Sequence, residues 1–327
     1  MTVDVVVPAS SANLGVGFDC LALALDLHLR VRVELADGTA TVPSVTGEGA
    51  DQLRWDESNR FLAGLRVGAR AAGVSRLPNL RVEMRNEIPL ARGLGSSAAA
   101  TVAGLLAARE LFGNSGSDER LLELATEVEG HPENAAASLQ GGFVACAAGR
   151  TARFDPPANL RTVVFIPDRE LATADMRAVL PDSVPHADAI HNLGRAALVV
   201  GAFATGDLSL LSAMYDDRLH QPYRAKVYAE LIPLIAAARG AGALGAALSG
   251  AGSAVIALCE SSATAETVGV ALQSATGLEG RVSLLTPDRK GAHVGWNARP
   301  MYARVDLKDG NALRRAQADA VQQEREP

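Results

Sequence analysis

The segment from Ile88 to Gly113, IPLARGLGSSAAATVAGLLAARELFG, runs from a glycine- and serine-rich turn straight into an alanine-rich helical pattern. A glycine loop ahead of a helix offers unpaired backbone N–H groups and the positive end of the helix dipole, which together hold phosphate without a cationic side chain. That matters in a chain whose lysines are Lys226, Lys290 and Lys308 alone. The loop is not a Walker A motif, because Ser96 and Ser97 stand where GxxxxGK[ST] puts lysine and hydroxyl, and it is not GxGxxG. Taken alone, GSS reads more readily as a turn with a serine cap, since serine N-caps are common. The other chemically capable residues have equally ordinary readings. Glu127 and Glu129 suit a solvated helix face, Arg177 and Arg224 a surface, Asn13 a turn, and His131 a partner for a helix C-terminus.

The elements that must position these groups follow from periodicity. TVDVVVPAS reads as a strand ended by proline and serines, and LALALDLHLRVRVEL as a strand pair, alternating in its second half. LRVEMRNEI is a further strand, and a helix is expected from Ser97 to Phe112, stopped by Gly113. DERLLELATEVEG is a second amphipathic helix, followed by the polar cluster HPENAAASLQGG and the strand FVACAA. Composition turns to Pro, Gly and Arg around GRTARFDPPANLR, where a domain boundary is placed, between 155 and 156. Beyond it, helices alternate with short strands, a pattern suited to helices layered on one face of a mixed or antiparallel sheet. The stretch 307–327 is a charged tail without aromatic residues.

Composition narrows the function classes. With 327 residues, 48% of them apolar, the chain can bury one large or two medium cores. A net charge of -6 with both signs interspersed gives no stripe suited to nucleic acid or an anionic membrane, so small molecules are the expected partners. Cys20, Cys146 and Cys259 are widely spaced and form no CxxC or Cys/His group, against a disulfide framework or a zinc site. With no leader-like N-terminus and no apolar run long enough to span a bilayer, a cytoplasmic location is expected.

The string Ile-Pro-x-Ala-x-Gly-Leu-Gly-Ser-Ser-Ala-Ala, matched from Ile88 to Ala99, resembles the phosphate-binding signature of the GHMP kinases. PASSANLGVGFDCLALAL, LATADMRAVLP, LHQPYRAKV and LSGAGSAVIAL are similar to blocks of the homoserine kinase branch of that family, and the five occur in family order from Pro8 to Leu258. The resemblance implies an α+β, two-domain fold: a domain like ribosomal protein S5 domain 2 over 1–155 and a ferredoxin-like domain over 156–306. It implies ATP-dependent phosphorylation of the side-chain hydroxyl of L-homoserine. Another hydroxy amino acid such as threonine, or a non-catalytic ATP- and amino-acid-binding regulator, are the alternatives, and a homodimer is left open.

By the same match the nucleotide lies along Pro89, Leu90, Ala91, Arg92, Gly93, Leu94, Gly95, Ser96, Ser97, Ala98 and Ala99, with Asn59 near the adenine. Ser97 and Glu127 would hold Mg2+, with Glu129 as the fallback carboxylate, and His131 could pass a proton. The acceptor would meet Asn13, Asp19, His131, Glu133, Asn134, Thr173, Arg177, Arg224 and Gly250. Two arginines for a carboxylate and carboxylates for an ammonium are what an amino-acid substrate asks for. The chain departs from the family at HPEN, where aspartate is usual in place of Glu133, and at Val16 and Ser253, where proline is commoner. The extra methylene of Glu133 moves the carboxylate by about 1.5 Å, which leaves the choice of hydroxy amino acid open.

Overall fold

The computed structural model describes residues 1–36, 43–113 and 116–295, so the charged tail at 307–327 lies outside the described residues. Strands β1 (Thr2–Ala12) and β2 (Leu21–Leu35) make a long antiparallel pair. Proline does not end β1. Its register against β2 shifts between Pro8 and Ala9, a bulge at which the missing proline N–H is tolerated. Nor is LALALDLHLRVRVEL a strand pair: it is one 15-residue strand with no glycine, proline or asparagine to turn it. Its pattern changes because its cover changes. Leu21 to Leu25 are buried at every position, whereas the second half alternates buried and half-buried.

The first sheet continues with β3 (Ser44–Gly47), β4 (Leu80–Asn86), β5 (Phe143–Ala147) and β6 (Arg150–Phe154). The edge of β2 away from β1 is divided, its start pairing with β5 and its end with β4. Helices α2 (Ser96–Phe112) and α4 (Glu133–Gln140) lie on this sheet, and α1 (Arg60–Ala71) and α3 (Asp118–Glu129) pack against α2. The polar cluster HPEN thus opens a helix. α1 and α2 touch through glycine: a Cβ on Gly64 would lie 2.2 Å from the Thr101 carbonyl, and one on Gly104 2.1 Å from that of Phe61. Only hydrogen fits there, and the approach brings the start of α1 beside the first turns of α2.

The second sheet has the antiparallel order β10-β7-β9-β8, from β7 (Arg161–Pro167), β8 (Gly245–Leu248), β9 (Val255–Cys259) and β10 (Gly280–Leu285). Between β7 and β8 lie α5 (Thr173–Ala178), α6 (His186–Thr205), a 3-10 segment (Leu208–Tyr215), α7 (Gln221–Arg224) and α8 (Leu231–Gly240); α9 (Ser262–Ser274) joins β9 to β10. Both faces of this sheet are covered. Val163 and Phe165 pack with α8 and α9, whereas Val164 and Ile166 join the core shared with the first sheet, α6 and the 3-10 segment. No helix among the described residues is long and apolar enough to cross a membrane.

After β10 the chain returns to the first sheet, where β11 (His293–Val294) pairs with β1. Asp288 holds the return in place. Its carboxylate accepts from the Lys290 and Gly291 amides and lies 3.0 Å from His28 Nε2. Burial opposes the charged form of Asp288, but these bonds outweigh it and its pKa falls below the ordinary value. A depressed carboxylate stabilises the fold above the unfolded-state range of about 4 and loses that contribution as pH falls through the lowered value. The gap in urea midpoint between wild type and Asp288→Asn is therefore expected to be widest near neutrality and to close in acid; a constant gap would refute the assignment.

Candidate active site

Between β4 and α2 the backbone takes positive φ at Ala91 (51°), Gly93 (72°) and Gly95 (69°). At Gly95 space adds to the angle, since a Cβ would lie 2.1 Å from Ser10 Oγ. The loop carbonyls turn inward. Arg92 O accepts from the Ala254 amide at 3.1 Å, Gly93 O from Ser249 Oγ at 2.7 Å, and Leu94 O from the Ser10 amide at 3.1 Å. Gly95 is the N-cap of α2 and makes no side-chain capping bond, so a serine-capped turn is not what forms. Ser96 and Ser97 lie inside the first turn, and the amides of Ser96, Ser97 and Ala98 have no intrahelical acceptor. Ala99 is a correction to the expected phosphate contacts: its amide donates to Gly95 O at 2.9 Å and its side chain is buried.

Glu127 is a second correction. Its side chain is 65% exposed and lies 3.9 Å from Arg120, away from the loop. Glu129 instead is 5% exposed and accepts from Ser97 Oγ at 2.7 Å and Thr101 Oγ1 at 2.6 Å. The reason is helical phase, because residues two apart on a helix point about 200° from each other. Glu129 continues the i, i+4 line of buried Leu121 and Ala125, and Glu127 continues that of exposed Glu123. That line was available in the sequence. Thr101, one turn beyond Ser97, was missed although it shares the same carboxylate.

Two cavities flank this point. One, of about 260 Å³, lies between the loop, the end of β1, the start of α4, and α5 and α7. It gathers Asn13, Asp19, His131, Glu133, Asn134, Thr173, Arg177, Arg224 and Gly250, so every expected acceptor residue lines it. The other, of about 330 Å³, is walled by Leu29, Leu53, Phe61, Met84 and Leu90. Asn59 also lines it, but its carboxamide caps α1 at Leu62 N and donates to Arg54 O. The side chain of Arg92 is likewise occupied, donating to the Pro167 and Asp168 carbonyls.

In the smaller cavity the charges are arranged by a ring. Phe18 lies under both guanidinium groups, 5.7 Å from Arg177 and 5.3 Å from Arg224, and stacks on His220 at 5.1 Å. Sequence reading missed both aromatic residues. Arg224 is fully buried, giving Nε to Met176 O and Nη1 to Gly250 O. Burial first and Arg177 second pull its pKa down to about 10, which leaves it charged near neutrality. Arg177 grips Asp19 with both terminal nitrogens, at 3.0 and 2.9 Å. Asn13 braces the site, its amide donating to Gly250 O and its oxygen accepting from Asp19 N. Glu133 is buried; Oε1 takes Asn134 Nδ2 and lies 3.0 Å from His131 Nδ1, while Oε2 has no partner.

The model of the GHMP kinases N terminal domain matches residues 59–142, and that of the GHMP kinases C terminal matches 199–277. A homoserine kinase of Deinococcus radiodurans is 43% identical over 294 residues, 88% of this chain and 95% of that protein. The chain belongs to the GHMP kinases. Another member of that family, a homoserine kinase of Moorella thermoacetica, is 40% identical over 88% of this chain and 98% of its own. The crystal structure of homoserine kinase from Cytophaga hutchinsonii is similar at TM-score 0.80 and 30% identity, covering 90% of this chain and 97% of that one. The L. major mevalonate kinase structure, at TM-score 0.63 and 18% identity over 86% and 95% of the two chains, shares the GHMP kinase fold.

His131 in this GHMP kinase has its pKa raised, chiefly by its interaction with Glu133, with burial acting the other way. Glu133→Gln removes the raising charge and keeps the shape. The His131 ring, followed by proton NMR, is expected to titrate at lower pH in that variant; an unchanged midpoint would show that Glu133 does not hold the proton.

Proposed function

We propose that the protein catalyses ATP-dependent phosphorylation of the side-chain hydroxyl of L-homoserine, with Mg2+ bound beside the phosphates. The observation that carries this reading is the meeting of the two cavities at Ser96 and Ser97, the start of α2. An apolar cavity suits an adenine, a cavity with two arginines and a buried carboxylate suits an amino acid, and the open helix N-terminus between them suits phosphate. The names of the relatives, homoserine kinases at 43% and 40% identity, agree with that division.

Each end of an amino acid finds its complement. Arg224 has Nη2 unused, and each terminal nitrogen of Arg177 keeps a second hydrogen beyond those given to Asp19, so both can grip one carboxylate. The free Oε2 of Glu133 is an acceptor suited to the ammonium, and Asp19 adds a second negative charge. The longer side chain of Glu133 is accommodated by burial against Asn134 rather than by reaching into solvent.

Ser97 and Glu129 fit a magnesium ion, since a hydroxyl and a carboxylate 2.7 Å apart are hard oxygen donors beside a phosphate-binding loop. The ion would supply charge neutralisation for the transferred group. The loop amides would align the triphosphate and the arginines would fix the hydroxyl opposite it. His131, favoured in its protonated form by Glu133, is better placed to offset negative charge than to take a proton. A loose transition state needs no strong base, so positioning carries most of the rate.

An ADP-release assay over homoserine, threonine and serine tests the assignment, with homoserine expected to give the highest kcat/KM. Ser97→Ala and Glu129→Gln are each expected to lower kcat by about 100-fold or more, the scale of a lost transition-state contact. Glu127→Gln should stay within about twofold of wild type, as for a surface substitution. No ADP release with any hydroxy amino acid would overturn the reading, and a Glu127 effect larger than that of Glu129 would overturn the metal assignment.

A further inference from the structure

We infer that Arg60 is the cationic side chain that binds the β- and γ-phosphates of the nucleotide, supplying the charge that other phosphate sites draw from lysine. The inference rests on the two-cavity reading above. Among the described residues, only Arg60, Ala91, Ser96 and Ser97 line both cavities. A ligand with its base in one and its reacting group in the other must pass these four, and Arg60 alone of them is charged.

The other cations are excluded by place or by occupation. No lysine lines either cavity among the described residues. Arg54 lines the apolar cavity alone, Arg92 is bound to carbonyls at the end of β7, and Arg177 and Arg224 stand at the acceptor end. A helix N-terminus leaves phosphates with several negative charges and only partial positive charges facing them. One full positive charge at the junction answers that deficit.

The surroundings of Arg60 agree. It is the first residue of α1, where the helix dipole disfavours a cation. Its side chain remains 49% exposed; Nη1 donates to Val128 O at 3.1 Å, and Nε stands 4.0 Å from Glu129 Oε1. It therefore lies within reach of the carboxylate that Ser97 and Thr101 share, without being enclosed by it. The glycine contact between α1 and α2 fixes this placement, since Gly64 lies one turn beyond Arg60 and meets Thr101.

Its bond to Val128 could alternatively serve only to tie α1 to the end of α3. Arg60→Gln separates the two roles, because glutamine keeps a donor for the carbonyl and loses the charge. Calorimetric titration of the full chain with ATP, ADP and AMP, without acceptor, gives a readout independent of turnover. In Arg60→Gln the dissociation constants of ATP and ADP are expected to rise roughly 10- to 100-fold, the worth of a charge-assisted hydrogen bond, with AMP within about twofold. Arg60→Lys should recover most of the loss, and thermal unfolding of both variants should match wild type.

Equal weakening of all three nucleotides would assign Arg60 to the fold and overturn the inference. So would unchanged ATP binding in a variant that melts like wild type. Should the wild-type protein itself bind ATP no better than AMP, the two-cavity reading falls and the role of Arg60 falls with it; a failure confined to the variants leaves that reading standing.

Discussion

A backbone can offer its N–H groups to a ligand only if its carbonyls are satisfied elsewhere, and this requirement organises the protein. Arg92, Gly93 and Leu94 each give their carbonyl to a donor from another part of the chain, namely Ala254, Ser249 and Ser10. One donor comes from the first sheet and two from the turn between β8 and β9 of the second. The loop is therefore held from both sides, and the start of α2 is left open between them. Glycine at 95 is needed because the chain there must pass against Ser10 while turning into the helix. Buried polar groups without partners are costly, so the three inward bonds also fix which way the peptide planes face.

Charge is managed at the acceptor end by a related economy. Two guanidinium groups that would repel each other both lie against the Phe18 ring, and one of them is sunk among backbone carbonyls. Arginine tolerates this better than lysine because its charge is spread over a planar group that can stack and donate in several directions. Behind it, Asp217 and His220 tie the start of α7 to the turn after β1: Asp217 accepts from the His220 and Gln221 amides, and His220 Nε2 lies 2.6 Å from Gly15 O. The side chains that face the ligand are thus positioned by groups that do not.

Local chemistry was legible in the sequence where it depended on neighbours along the chain. The glycine loop, the span of α2 to Phe112 and the strands of the second sheet follow from turn residues and periodicity. What escaped were features fixed by contact between elements. Whether Glu127 or Glu129 faces Ser97 depends on how α3 packs against α2, although the line through Leu121 and Ala125 pointed to Glu129. Phe18 and Arg60 drew no attention in the sequence, because nothing local says that a ring will lie beneath Arg177 or that α1 will start beside Ser97. Ala99 failed for the opposite reason: a motif match runs along the sequence without regard to where helix bonding begins.

The pairing of Val5 with Val294 has a consequence for how the chain is made. During synthesis β1 and β2 emerge early and can pair at once, but β11, which pairs with the other edge of β1 at Val5 and Val6, is delivered only after the whole second sheet has been threaded out. Until then that edge presents open hydrogen-bonding groups to any other strand nearby. The second sheet is, in effect, inserted between the start and the end of the first, so its residues are synthesised before the first sheet can be completed. Completing the first sheet therefore means closing a loop of most of the chain's length, a non-local pairing whose entropic cost is large.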